Sequence, residues 1–186
     1  DLGLQPELAI SSPDGTPIRA EMGHFSEGGM TYAGALVLPA HAPRAGMPEE
    51  VTVTLPAAGH VYEVRSGQYL GEGATVTDSI EPGVARLYAI APEQPSLTVE
   101  APDALQAGGM LEITLTSDAA GDYAVHLELI GPDGQPREWH DEIAFATEDG
   151  AQVSMPMALD AQPGPWTVRA TEVATGETTE RTVEVR

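Results

Sequence analysis

The sequence predicts an all-β protein built from two consecutive antiparallel β-sandwich domains. Apolar and polar residues alternate with a period of two in most segments, and no window shows the periodicity of an amphipathic helix. The 186 residues include 20 Gly and 16 Pro, a composition typical of many short strands joined by tight turns. Two prolines in Ala91-Pro92-Glu93-Gln94-Pro95 indicate a stiff, extended linker. We therefore predict one domain at 1–92 and a second, immunoglobulin-like domain at 93–186.

The first domain contains strand signals and turn signals in alternation. Ser12-Pro13-Asp14-Gly15-Thr16-Pro17 predicts a tight turn between two strands, because Pro presets φ and Gly accepts a positive φ. The nearly unbroken apolar run from Ala33 to Leu38 predicts a strand covered on both faces. Val51, Val53 and Leu55 alternate with threonines, as expected of a half-buried strand.

The most specific pattern of the first domain is the stretch Val61-Tyr62-Glu63-Val64-Arg65-Ser66-Gly67-Gln68-Tyr69-Leu70-Gly71. It predicts a hairpin that turns at Ser66-Gly67. A second turn at Pro82-Gly83 leads into a closing strand, Ala85-Arg86-Leu87-Tyr88-Ala89-Ile90.

Seven strands are predicted in the second domain, at the spacing of an immunoglobulin-like sandwich. Gly131-Pro132-Asp133-Gly134-Gln135-Pro136 predicts another tight hairpin between adjacent strands, and Ala174-Thr175-Gly176-Glu177 a further turn. The alternating apolar residues that define the strands are Leu97, Val99 and Ala101; Leu111, Ile113 and Leu115; Tyr123, Val125, Leu127 and Leu129; Ile143 and Phe145; Val153, Met155, Met157 and Leu159; Trp166, Val168 and Ala170; Val183 and Val185.

The chain is strongly acidic, with a formal net charge of −21. Lys and Asn are both absent, and 18 acids against 4 Arg follow Pro92. Such a chain repels phosphate backbones, so we expect no nucleic-acid partner. A GC-rich genome and adaptation to salt both explain the acidity. No stretch is long and apolar enough for a membrane span, and the absence of Cys excludes disulfides and thiolate metal sites.

The densest acidic cluster, Arg137-Glu138-Trp139-His140-Asp141-Glu142, is the only candidate for chemistry. On a strand, Glu138, His140 and Glu142 would share one face, with Trp139 and Asp141 on the other. A catalytic carboxylate pair is one interpretation. A solvated edge strand, with Trp139 packed in the core or between domains, is another. The third is stacking of a sugar on Trp139, the one carbohydrate-binding residue that we name.

We assign no catalytic residue, no metal ligand and no cofactor. The five histidines, His24, His41, His60, His126 and His140, lack the spacing of a metal site. Loop acids, Asp118 with Asp122 and Glu148 with Asp149, leave loop-bound Ca²⁺ as an alternative to simple solvation.

The hairpin pattern, with Leu4-Gln5-Pro6-Glu7-Leu8 and Asp14-Gly15-Thr16-Pro17 before it, resembles the small β-sandwich after the catalytic barrel in bacterial glycoside hydrolases of the β-galactosidase type. Glu63 and Gln68 stand where Asp and Lys are commoner in that pattern. The run from Gly164 to Val185 resembles the last hairpin of macroglobulin-like and other immunoglobulin-like domains of bacterial surface proteins.

These resemblances imply a fold and a context but no functional residues. The chain is expected to be a piece of a larger secreted or cell-surface carbohydrate-active protein, and its first residue, Asp1, fits such a piece. Its expected partners are an upstream catalytic domain and a polysaccharide. A carbohydrate-binding module and an immunoglobulin-like spacer of an adhesion protein remain alternatives.

Overall fold

The computed structural model describes residues 7–41 and 49–186, and strands form most of these. No α-helix occurs in the two described ranges, which contain only the 3-10 turns Pro39–His41 and Glu138–His140. The predicted all-β, antiparallel fold is therefore confirmed. By its internal contacts the chain divides into two compact units, Asp1–Gln94 (unit 1) and Pro95–Arg186 (unit 2). No helix of the described part is long and apolar enough to cross a membrane.

The strands described in unit 1 form one sheet in the order β2-β1-β5-β7-β4-β3, with β6 paired to β5. They are β1 (Ala9–Ser11), β2 (Pro17–Ile18), β3 (Glu21–Glu27), β4 (Met30–Leu36), β5 (Glu49–Glu63), β6 (Gln68–Ile80) and β7 (Arg86–Ala91).

The long strand β5 turns this single sheet into a sandwich. Its first half pairs with β1 and its second half with β7, while β6 follows it along the other edge. The ladder between β5 and β6 is interrupted between Thr54 and Gly59. Such irregularities bend a strand and increase its twist. Val51 and Val53 from the first half and Val61 from the second meet in one buried core.

The predicted turns of unit 1 are present. Ser12 accepts the N–H of Gly15 (2.8 Å), and the Asp14 carboxylate accepts hydrogen bonds from the Ser12 hydroxyl and the Thr16 N–H (3.0 Å). These hydrogen bonds lower the pKa of the Asp14 carboxyl, and the bond from Ser12 contributes most. The Ser66-Gly67 turn joins β5 to β6, where Glu63 pairs with Gln68.

Strand β4 differs from its prediction. Ala33 and Ala35 are buried, but Gly34 between them and Leu36 after them are only partly buried. The strand therefore alternates and is not covered on both faces along its length. The apolar run was misleading because the face of the strand that carries Gly34 and Leu36 is only partly covered.

Unit 2 contains two sheets with buried inner faces, ordered β13-β10-β8 and β12-β11-β14-β15-β9. Only β9, which pairs with β15, is parallel to its neighbour. The strands are β8 (Leu97–Glu100), β9 (Ala104–Leu105), β10 (Met110–Ser117), β11 (Tyr123–Ile130), β12 (Glu142–Ala146), β13 (Ala151–Pro156), β14 (Gly164–Glu172) and β15 (Thr178–Val185).

Three predictions for unit 2 need correction. The two-residue strand β9 was not predicted, because it is too short to show alternation. In β12 the inward residues are Ala144 and Ala146, whereas Ile143 and Phe145 are 57% and 56% exposed. Leu159 lies beyond the end of β13 and is 89% exposed. The large side chains of Ile143 and Phe145 were predicted to face the core, but the inner face of this edge strand holds the smaller alanines.

The predicted hairpin at Gly131–Pro136 forms only in part. The turn closes through a hydrogen bond from the Gly131 N–H to the Gln135 carbonyl (2.9 Å), but pairing stops at an isolated bridge between Ile130 and Pro136. Arg137 then donates its backbone N–H to the Leu129 carbonyl (2.8 Å) and its guanidinium to Asp133 (2.9 Å). The chain then forms the 3-10 turn Glu138–His140 instead of continuing along β11, so the next strand begins only at Glu142.

Candidate functional site

Trp139 lies in the 3-10 turn that precedes β12, not on a strand. The turn is closed by hydrogen bonds from the His140 N–H to the Arg137 carbonyl (2.8 Å) and from the Asp141 N–H to the Glu138 carbonyl (3.2 Å). The strand-based faces predicted for this segment are therefore wrong. The indole is 72% exposed, which also contradicts packing of Trp139 in the core.

Beside this turn, unit 2 has an open cleft of about 470 Å³. This volume lies in the range of small-molecule sites, about 300–1,000 Å³. The cleft lies where the edge strand of one sheet, β12, faces the edge strand of the other, β13. Its lining residues are Trp139, His140, Asp141, Glu142, Ser154, Met155, Pro156, Met157 and Ala158. We call it the Trp139 cleft.

The Trp139 cleft has an apolar floor and one aromatic side. Met155 and Met157 are buried and alternate with the exposed Ser154, Pro156 and Ala158, so the methionines extend the core to the bottom of the cleft. Trp139 provides a large exposed ring beside them. A flat apolar ring face over an apolar floor is a surface on which a pyranose can stack.

Carboxylates line the opening of the cleft. Glu142 has the register of the buried Ala144 and Ala146, so it points toward the inner side of its sheet where the sandwich is open. Asp141 lies 3.8 Å from the His126 ring, measured from Oδ2 to Nε2. A third carboxylate, that of Glu112, accepts a hydrogen bond from the hydroxyl of the lining residue Ser154.

No fixed positive charge lines the cleft in the described structure. His140 is the one histidine among the lining residues, and burial lowers the pKa of its imidazole, which disfavours the charged form. The nearby Arg137 is committed elsewhere: it forms an ion pair with Asp133 (2.9 Å) and lies over the Trp166 ring, 5.3 Å from its centroid. The site therefore offers acceptors and an aromatic face.

The hairpin pattern of unit 1 builds a different kind of site, a buried charge network. Glu63 is only 2% exposed, and its Oε2 accepts hydrogen bonds from the Ser66 N–H (3.0 Å) and hydroxyl (2.8 Å). Arg86 places Nη1 3.6 Å from the same oxygen and Nε 3.5 Å from Asp78 Oδ2. Arg86 on β7 thus connects Glu63 on β5 with Asp78 on β6, so the pattern is explained by scaffolding.

Tyr88 completes the network from β7. Its hydroxyl donates to Asp78 Oδ2 (2.9 Å), and burial, together with the negative charge of Asp78, raises the pKa of the phenol. In the same hairpin Tyr62 and Tyr69 pack with ring centroids 5.2 Å apart. The sequence pattern gave no indication that Glu63 and Asp78 would both be buried against Arg86, because Asp78 lies outside it.

The remaining candidates lie apart. His24 lies beside Glu7 (3.4 Å), and His60 shares a hydrogen bond with the Tyr69 hydroxyl (3.0 Å). Asp118 accepts the Ser96 N–H (2.7 Å), a structural use of this loop acid. Within residues 7–41 and 49–186, no group of three or more His, Asp or Glu side chains is placed to hold a metal ion.

Comparison with known proteins adds little to this picture. No family model matches the sequence, and no curated protein matches it. Among solved structures, the chain has a weak similarity to a beta-glucosidase from Listeria innocua that was crystallised in complex with glucose, with 17% identity and a TM-score of 0.33. The match covers 50% of this chain and 16% of that enzyme. We therefore draw no functional argument from it.

Proposed function

We propose that this chain is a non-catalytic accessory region of a larger secreted or cell-surface carbohydrate-active protein and that unit 2 binds a glycan at the Trp139 cleft. The observation that carries the proposal is the 72% exposed indole beside an apolar floor and hydrogen-bonding carboxylates. Proteins bury most of a Trp side chain unless it has another use, and exposed aromatic rings suit the faces of sugars.

The accessory role is supported by how the charged groups of the chain are used. The most specific sequence pattern places its carboxylate, Glu63, in a buried network with Arg86. Near the cleft, Asp141 faces His126, and Glu112 accepts a hydrogen bond from Ser154. The proposed organisation remains one glycosidase-tail-like sandwich at 1–92 and one immunoglobulin-like sandwich at 93–186, with an upstream catalytic domain as the partner.

The second candidate function is that of an immunoglobulin-like spacer in a surface or adhesion protein. The observation in its favour is that the buried carboxylates of both units make structural contacts. Glu172, for example, is buried and accepts the backbone N–H groups of Ala174 (3.1 Å) and Thr175 (2.5 Å) in a turn. A spacer has no need of a ligand, so glycan binding separates the two candidates.

The test is a titration of the whole chain with soluble oligosaccharides of several linkages, followed by tryptophan fluorescence and by calorimetry. Trp139→Ala should abolish the binding of any glycan that the wild type binds. Phe145→Ala is the matched control, because it removes another exposed aromatic ring of unit 2 that does not line the cleft. Its affinity should equal that of the wild type.

Two results would contradict the proposal. If no member of a broad glycan panel binds, the spacer is the better interpretation. If the purified chain hydrolyses a glycoside, and Glu142→Gln abolishes the hydrolysis, the region is catalytic.

A further inference from the structure

We propose that the glycan bound at the Trp139 cleft is an amine-bearing polysaccharide segment of the glucosamine type, in preference to its neutral or acidic counterparts. This inference rests on the proposed function, because it names the ligand class of the same site. It is derived from the charges and surfaces that line the cleft.

The first step is the sign of the charge. Asp141 and Glu142 line the cleft, and neither Arg nor Lys does. The nearest Arg described, Arg137, is held by Asp133 at 2.9 Å and by the Trp166 ring. A uronic acid or a sulfated sugar would therefore meet the carboxylates of Asp141 and Glu142 with no Arg or Lys to offset them, whereas an ammonium group would be attracted by these carboxylates.

The second step is the aromatic surface. An indole face attracts a cation through its quadrupole, and it also stacks with the apolar C–H face of a sugar ring. A glucosamine unit presents both features at once, a C–H face and an ammonium group at its edge. Trp139 and Glu142 line the same cleft, so one such unit can use both residues.

The third step distinguishes a sugar from a basic peptide. Four consecutive lining residues of the cleft, Met155, Pro156, Met157 and Ala158, have apolar side chains and form its floor. A ring covers such a floor, while a lysine brings only a thin methylene stem. The observations therefore favour the amino sugar, and a lysine peptide serves as a competitor in the test.

The experiment compares a glucosamine tetramer with its N-acetylated counterpart on the whole chain at about pH 6, where the amines of the ligand are protonated. The two ligands differ in charge but share the pyranose backbone. A unit charge near one exposed carboxylate is expected to strengthen binding by about fivefold at low salt, and NaCl should reduce the difference.

Two matched variants locate the effect. Glu142→Gln should weaken binding of the glucosamine tetramer more than binding of the N-acetylated tetramer, and so remove the preference for the amine. Glu184→Gln makes the same charge change at an exposed residue on β15, three strands from β12 in the sheet, and should keep the preference. This control separates recognition at the cleft from attraction by the overall charge of the protein.

The outcomes for the two proposals are distinct. If both tetramers bind equally and Trp139→Ala abolishes both, glycan binding stands and the amine preference is wrong. If neither tetramer binds, and no other glycan does, the proposed function itself fails. If tetralysine binds as tightly as the glucosamine tetramer, with the same dependence on Glu142, the cleft selects charge alone and the ligand class is overturned.

Discussion

The buried carboxylate of Glu63 allows the sharpest stability prediction for unit 1. Glu63→Gln keeps the size of the side chain but removes its charge. The Ser66 N–H and hydroxyl would then donate to a neutral oxygen, and Arg86 would retain only Asp78 as an anionic partner. We expect a large loss of stability, because Arg86 is held between two strands by these carboxylates.

The magnitude follows from the contacts. Two hydrogen bonds to a charged acceptor lose about 1 kcal/mol each when the acceptor becomes neutral. Removing one member of a buried ion pair costs about 3–5 kcal/mol, and Arg86 is partly exposed and keeps Asp78, so we take the lower part of that range or less. A total of about 2–5 kcal/mol corresponds to a fall in melting temperature of about 10–25 °C for a unit of this size.

The assay is thermal unfolding of the whole chain combined with hydrogen exchange read by mass spectrometry. Exchange should accelerate in peptides from β5, β6 and β7. Glu21→Gln is the control, because Glu21 is exposed on β3, and it should change stability by no more than about 0.5 kcal/mol. A Glu63→Gln protein that melts within about 2 °C of the wild type would refute the reasoning.

Three further predictions concern packing, pH and salt. Gly59→Ala should destabilise unit 1 by about 1–3 kcal/mol in denaturant unfolding, because a Cβ would lie 2.5 Å from the Ala91 carbonyl oxygen, whereas Gly23→Ala, with nothing within 4 Å, should be tolerated. Because the pKa of Tyr88 is raised, its protonated form stabilises the fold fully below the ordinary pKa of about 10, and melting temperatures should fall as pH rises above that value; Tyr88→Phe should fall less steeply. Molar NaCl should raise the melting temperature of residues 93–186 more than that of residues 1–92, and equal shifts would contradict self-repulsion.

The parts of the fold that depend on local rules were predictable from the sequence. Period-two alternation identified most strands, and turn chemistry located the corners at Ser12–Pro17 and Ser66-Gly67. The failures arose where distant contacts decide the outcome. Phe145 has the signature of a core residue, yet it points outward because β12 is the edge of its sheet.

For the candidate site, the sequence predicted one residue, Trp139, but not the cleft in which it lies. Trp139 was recognised as a possible platform, but its acidic neighbours were assigned to a strand. The error has a physical cause in Arg137, whose bonds to Leu129 and Asp133 cannot be foreseen from local propensity. The floor of the cleft, Met155 and Met157, comes from a strand of the other sheet, and no local pattern in the sequence relates it to Trp139.

The cleft itself follows from the way in which unit 2 delays its edge strand. The turn at Gly131–Pro136 closes and Arg137 bonds to Leu129, but the chain then forms the 3-10 turn Glu138–His140, so β12 starts only at Glu142 and remains short. The residues between the turn and the strand then lie at the open side of the sandwich, where β13 is also an edge. Because Arg137 is fixed by its own partners, Trp139 is presented on a structured turn rather than on a free loop, which lowers the entropic cost of binding a ligand there.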